Sequence, residues 1–153
     1  MITRILPAAL ALVAASSLDA QAVAPDLTYA TPLGGEWHYA ATSGGSEAVF
    51  RDGSARPQLT IRCARARRAV TIAKPASAAA PFLFVWTSSS SKSYPATFDA
   101  AGGQLSVTVA ATDNILDAMA FSRGRLGISV TGSPPLVVPP WEEVARVIED
   151  CRA

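Results

Sequence analysis

The chain has 153 residues, enough for one core of ordinary size once any export segment is set aside. Its 13 basic and 12 acidic side chains nearly cancel, which excludes broad electrostatic attraction to nucleic acid or to a membrane surface. Two cysteines and one histidine are too few for a structural zinc set, and the cysteines form no C-x-x-C redox pair.

Arg4 and the apolar run 5–15 have the layout of a secretion signal, and the run falls short of the roughly 20 residues a membrane-spanning helix needs. Ala20-Gln21-Ala22 offers small residues around a larger one, so cleavage is expected after Ala22, with Ala24 as second choice. No cysteine stands beside that point to carry a lipid anchor. No later segment is long and apolar enough to cross a bilayer. The alanine-rich, arginine-over-lysine composition suits a GC-rich bacterial genome, so the expected location is periplasmic or secreted. The expected organisation is a signal over residues 1–22, an extended lead-in over 23–35, and a single β-rich domain over 36–153.

Residues 36–42 read as a strand carrying Trp37 and Tyr39 on the face opposite His38, followed by a turn over 43–46 and a second strand over 47–51. Asp52-Gly53 signals a tight turn. In 58–63, Leu59, Ile61 and Cys63 alternate with Thr60 and Arg62, which turns Cys63 toward the core. After a basic turn over 64–68 come a strand over 69–73 and a Pro/Ala/Ser loop over 74–81. The apolar run 82–86 is expected to be a central strand, and 87–93 a polar loop. Residues 94–98 and 104–109 read as two strands of one hairpin. Asp113 is the expected N-cap of a short helix over 114–121, with Ile115, Leu116, Met119 and Ala120 inward. A hairpin over 126–130 and 136–138 leads through Pro139-Pro140 to a terminal helix. Its expected apolar face is Trp141, Val144, Ala145, Ile148 and Cys151.

Both thiols therefore point inward, and an oxidising compartment would join Cys63 to Cys151. The expected fold is mainly β (α+β). It is a small antiparallel β-sandwich or barrel-like sheet with a short internal helix and a C-terminal helix held by the disulfide.

Four groups of residues could carry function. Ser89-Ser90-Ser91-Lys92 has S-x-x-K spacing, but it follows a strand instead of starting a helix, and neither K-T-G nor S-D-N follows it. His38 has no G-x-S-x-G partner for a triad. Asp113 and Asp117, four apart, could do acid–base work, although a cap and a surface residue paired with an arginine explain them more simply. Arg62, Arg65, Arg67 and Arg68 form the dense basic cluster, a possible patch for an anionic glycan, a lipid headgroup or an acidic envelope protein. Solubilisation of a sheet edge is the plainer explanation. No aromatic residues interleave with these arginines, so nucleic acid is not expected. No cofactor or metal is implied.

Trp37 on an early strand, Leu59-Thr60-Ile61-Arg62-Cys63 on a middle strand, Ala120-Phe121-Ser122-Arg123-Gly124 after a short helix, and Cys151 late in a terminal helix occur in that order. The layout resembles exported proteins of the invasion-associated locus B type and small type VI secretion accessory proteins. That resemblance implies a β-sandwich stapled from strand to C-terminal helix, and it supplies no catalytic residues. The functional expectation is an exported, non-enzymatic envelope or periplasmic binding or accessory module. The alternative is a small secreted hydrolase or inhibitor using the Ser89–Lys92 loop or Asp113/Asp117.

Overall fold

The computed structural model describes residues 25–153. The expected signal segment lies outside the described residues. Among the described residues, ten strands and two α-helices follow in order: β1 (Gly35–Thr42), β2 (Gly45–Asp52), β3 (Pro57–Ala64), β4 (Ala69–Pro75), β5 (Phe82–Thr87), β6 (Ser91–Pro95), β7 (Thr97–Asp99), β8 (Gln104–Ala110), α1 (Asn114–Ala120), β9 (Leu126–Val130), β10 (Leu136–Val138) and α2 (Glu142–Arg152). They form two antiparallel sheets, ordered β1-β2-β3-β4-β8-β7 and β10-β9-β5-β6. The fold is thus mainly β with sandwich-like sheets, as the strand patterns indicate.

Period-two alternation sets the inner face of the large sheet. Leu59, Ile61 and Cys63 of β3, Val70 and Ile72 of β4, and Leu105, Val107 and Val109 of β8 all join one buried cluster. The small sheet adds Leu83, Val85, Leu126, Ile128 and Val130, and the helices add Ile115, Leu116, Met119, Val144, Val147 and Ile148. Burying each such aliphatic side chain stabilises the fold by about 1.5–3 kcal/mol relative to exposure. The inner face of the large sheet is shared between two covers. Helix α2 packs over β2 and β3, and β5 lies against β8. Trp37 meets Phe50 edge to face, with centroids 5.5 Å apart, and its indole Nε1 donates to the Pro139 carbonyl at 2.7 Å.

The bridge forms as expected: Cys63 and Cys151 are joined, with Cα atoms 5.3 Å apart, and both are buried. It welds the end of β3 to the last turn of α2. Opposite the bridge, Gly45 lies so close to the Cys63 carbonyl that a Cβ there would collide with backbone, which explains a residue without a side chain.

Several expectations need correction. Residues 91–93 do not belong to a polar loop. They begin β6, which pairs with β5 in the register Leu83↔Tyr94 and Val85↔Lys92. Residues 94–98 are not one strand of a hairpin, because the chain changes sheets at Pro95-Ala96. Tyr94 pairs with Leu83 in the small sheet, whereas Phe98 pairs with Leu105 in the large one. Proline has no N–H to continue the ladder, and the Ala96 N–H instead donates to the Pro81 carbonyl at 3.0 Å. The β2–β3 connection is longer than a two-residue turn. Asp52 N donates to Arg56 O, and Ala55, not Gly53, takes the left-handed conformation at φ 60°. Trp141 is the N-cap of α2, outside its helical repeat, and stays 45% exposed, while Val147 takes the expected place of Ala145 in the buried stripe.

The lead-in is tied to the small sheet. Leu27 is buried against Gly127, where a Cβ would overlap the Leu27 side chain. Leu33 N donates to Val137 O at 2.7 Å, and Arg125 Nε donates to the Ala30 carbonyl.

Candidate functional site

The arginine cluster surrounds the bridge. Arg62, on the outer face of β3, is held by Glu47 across the strand pair, with N···O distances of 3.0 and 2.7 Å. Arg65 and Arg68 flank a 3₁₀ turn, Arg65–Arg67, and turn toward the end of α2. Arg65 Nε donates to the Asp150 carbonyl at 3.3 Å, and Arg68 donates to the Arg152 carbonyl at 3.2 Å. These carbonyls have no partners further along the helix, and cations are favoured at that negative dipole end. Arg152 in turn reaches the Ala111 carbonyl at 2.8 Å and Asp117 at 2.6 Å. Of the four cluster residues, Arg67 alone makes no hydrogen bond or ion pair among the described residues.

The same end of α2 is pinned from β1. Tyr39 Oη donates to Asp150 at 2.7 Å, and the Arg146 guanidinium stacks 3.9 Å from the Tyr39 ring centroid. The Ser46 hydroxyl beside it and the Tyr39 phenol hold the Asp150 carboxyl below its ordinary range. Ser46 Oγ reaches no partner at ordinary hydrogen-bonding geometry, so Tyr39 makes the firm contact.

The Ser-Lys segment meets Asp113 in a structural role, and Asp117 is engaged elsewhere. Asp113 caps α1 by accepting from Ile115 N at 3.0 Å. Its carboxylate also accepts from Lys92 Nζ at 3.0 and 3.1 Å and from Tyr94 Oη at 3.0 Å. Burial alone would raise its pKa, but these four donor contacts outweigh burial and keep the group below the usual carboxylate range. Burial, together with donation to Asp113, pushes the Tyr94 phenol well above its ordinary value. Lys92 Nζ is thus directed at the Asp113 carboxylate, and it makes no hydrogen bond to a serine hydroxyl among the described residues. Asp117 faces Arg152, so each aspartate has its own cation. Ser88 and the turn after it are held in place, while Ser89, Ser90 and Ser91 are exposed. Ser88 N donates to Ser122 Oγ at 3.0 Å, Arg123 N donates to Ser88 Oγ at 2.8 Å, and Thr87 closes a turn with Ser90. His38 sits exposed on the outer face of β1. No group of three metal-ligating side chains occurs among the described residues.

Lys74 was not singled out from the sequence, although its phase could have revealed it. Val70, Ile72 and Lys74 are two apart, so a cation occupies the register of the core face, paired across the sheet with fully buried Leu105. This is the end of the sandwich remote from the disulfide. A concavity of about 440 Å³ there is lined by Lys74, Gln58, Leu33, Leu136, Val137 and the Pro134-Pro135 turn. A second, of about 330 Å³, shares Lys74 and Pro75 and runs under the 76–80 loop. Lys74 is the single charged side chain lining either one. Its Nζ donates to the Pro75 carbonyl at 3.1 Å and meets no carboxylate among the described residues. Burial lowers its pKa.

No family model, curated protein or solved structure matches the chain.

Proposed function

We propose that the protein is an exported, non-enzymatic binding or accessory module of the bacterial cell envelope, acting in the periplasm or outside the cell. The observation that carries this reading is the buried Cys63–Cys151 bridge, since such crosslinks persist in oxidising compartments. The signal-like pattern before Val23 supports it, and so does the absence, among the described residues, of a helix long and apolar enough to span a membrane. The pairing of Lys92 with Asp113, away from the serines of its own segment, favours binding over hydrolysis. The proposed partner is an envelope protein or an anionic glycan or lipid. It would approach the bridge end, where Arg67 is uncommitted and Arg62 is largely exposed.

Fractionation with intact-mass analysis tests the compartment. The proposal expects an extracytoplasmic chain starting at Val23 that takes up no thiol label without reduction. A cytoplasmic, unprocessed chain that takes two labels would overturn it. A fluorophosphonate serine probe tests the non-enzymatic half, and stoichiometric labelling at Ser88–Ser91 would reverse that half. Salt-sensitive retention on anionic glycan or lipid, lost in Arg65→Ala/Arg67→Ala, would locate the partner at the arginine edge. Unchanged retention would remove that edge from the proposal.

A further inference from the structure

We infer that the open end of the sandwich around Lys74 is a binding site for a small organic carboxylate with a short apolar tail. The inference deepens the binding-module reading and rests on it for biological meaning, but its test does not involve the arginine edge.

A lysine in the core register is costly unless its head finds compensation. Here the ammonium has only one neighbouring backbone carbonyl, although an ammonium can donate three hydrogen bonds. Snorkelling to water is the ordinary solution for a lysine at the rim of a core. The surroundings of this lysine are unlike a plain rim. Lys74 lines both concavities, and their combined lining contains no acidic side chain. The larger one has the size of a small-molecule site, with aliphatic walls from Leu33, Leu136 and Val137 and a rim amide from Gln58. Gln58 is itself oriented, because its Nε2 donates to Asp52 at 2.7 Å, which leaves its carbonyl oxygen and its second N–H available. One positive point charge beside an aliphatic wall matches a monoanion bearing a hydrocarbon tail better than it matches a neutral or cationic molecule.

Two features make the site preformed. The 134–137 wall is fixed by β10 pairing with β9, and the Leu33 wall by the Leu33 N to Val137 O hydrogen bond. The disulfide lies at the far end of β3, so ligand and crosslink do not compete for the same residues.

The test is an amide-resolved NMR titration of the purified, disulfide-bonded protein with hexanoate, hexanol and inorganic phosphate. Saturable shifts centred on Lys74, Leu136 and Val137 are expected with hexanoate. Its affinity should exceed that of hexanol by about fivefold, the value of one partly screened ion pair, and also exceed that of phosphate. Lys74→Met should erase the preference for hexanoate over hexanol while keeping the melting temperature, and Lys74→Arg should retain it. Equal affinity for hexanol, phosphate binding as tight as hexanoate, or shifts that scatter over the surface without saturating would each overturn the assignment. Since the wild-type comparison alone decides the question, a poorly folded Lys74→Met variant would not protect the idea. Failure here would leave the compartment and arginine-edge experiments unaffected.

Discussion

Opening the Cys63–Cys151 bridge should cost this fold about as much as truncating a large core side chain. The crosslinked residues are 88 positions apart. Loop-closure entropy for a ring of that size gives about 4–5 kcal/mol, and bridges more often deliver about 2–4. With an unfolding entropy of about 2 cal/mol/K per residue over the described chain, each kcal/mol shifts the melting temperature by about 3–4 °C. At the more usual stabilisation, Cys63→Ala/Cys151→Ala should therefore melt about 7–15 °C below the parent. Alanine is the right replacement, because serine would place two hydroxyls in a region where both sulfurs are buried. Calorimetry on both proteins, with and without reductant at equal concentration, measures the difference. Burial adds a kinetic expectation: reductant reaches the sulfurs only when the chain opens, so the native protein should reduce slowly and the rate should climb steeply with temperature. A melting temperature within about 3 °C of the parent would refute the loop-entropy reasoning and leave the bridge without a stabilising role.

Other predictions concern the contacts around the bridge and around α1. Gly45→Ala forces a Cβ into the Cys63 backbone carbonyl and should destabilise by about 2–3 kcal/mol in denaturant titration, whereas Gly44→Ala, with open space at its Cβ, should be nearly neutral. Asp113→Ala removes a helix cap and should cost about 1–2 kcal/mol in the same assay, while Asp113→Asn keeps the cap and loses less. The depressed folded-state pKa of Asp113 means that its contribution is complete above the unfolded value near about 4 and fades as pH falls through the lower folded value. Melting temperature should thus drop on acidification below about pH 4, less steeply in Asp113→Asn. The raised Tyr94 pKa works in the opposite direction: its stabilisation is complete below about pH 10 and is lost above, and Tyr94→Phe should flatten that alkaline decline. Trp37→Phe leaves the Pro139 carbonyl without its indole donor and should cost about 1–2 kcal/mol.

Most strands were legible because one face of each is buried, which writes alternation directly into the chain. Leu59/Ile61/Cys63 and Leu105/Val107/Val109 are the clearest examples. Sheet membership was not legible. Tyr94, Ala96 and Phe98 keep an unbroken period of two through the corner, and all three pack against the core. The sequence pattern therefore records which side faces inward and carries no mark of the change of partner between Tyr94 and Phe98. Strand β6 was hidden for a related reason, since Lys92 takes an inner-face register with its head drawn off to Asp113. Trp141 follows the helical spacing yet lies just before the helix, a boundary that periodicity cannot resolve. The arginine cluster was visible as a group, but its division was not. Glu47 and the α2 carbonyls that engage Arg62, Arg65 and Arg68 come from distant parts of the chain.

The hold of Leu27 over Gly127 has a practical side. This strap has neither strand nor helix of its own, and buried Leu27, the Leu33 N–Val137 O bond and the Arg125–Ala30 contact are what hold it. Shaving the chain past Leu27 would uncover the notch above Gly127, next to Trp86, and leave a greasy scar on the small sheet. The opposite end of the fold is no safer for engineering, because it carries the welded cysteine. Fusions and labels belong instead at an exposed turn such as 100–102, where neither the strap nor the weld is touched.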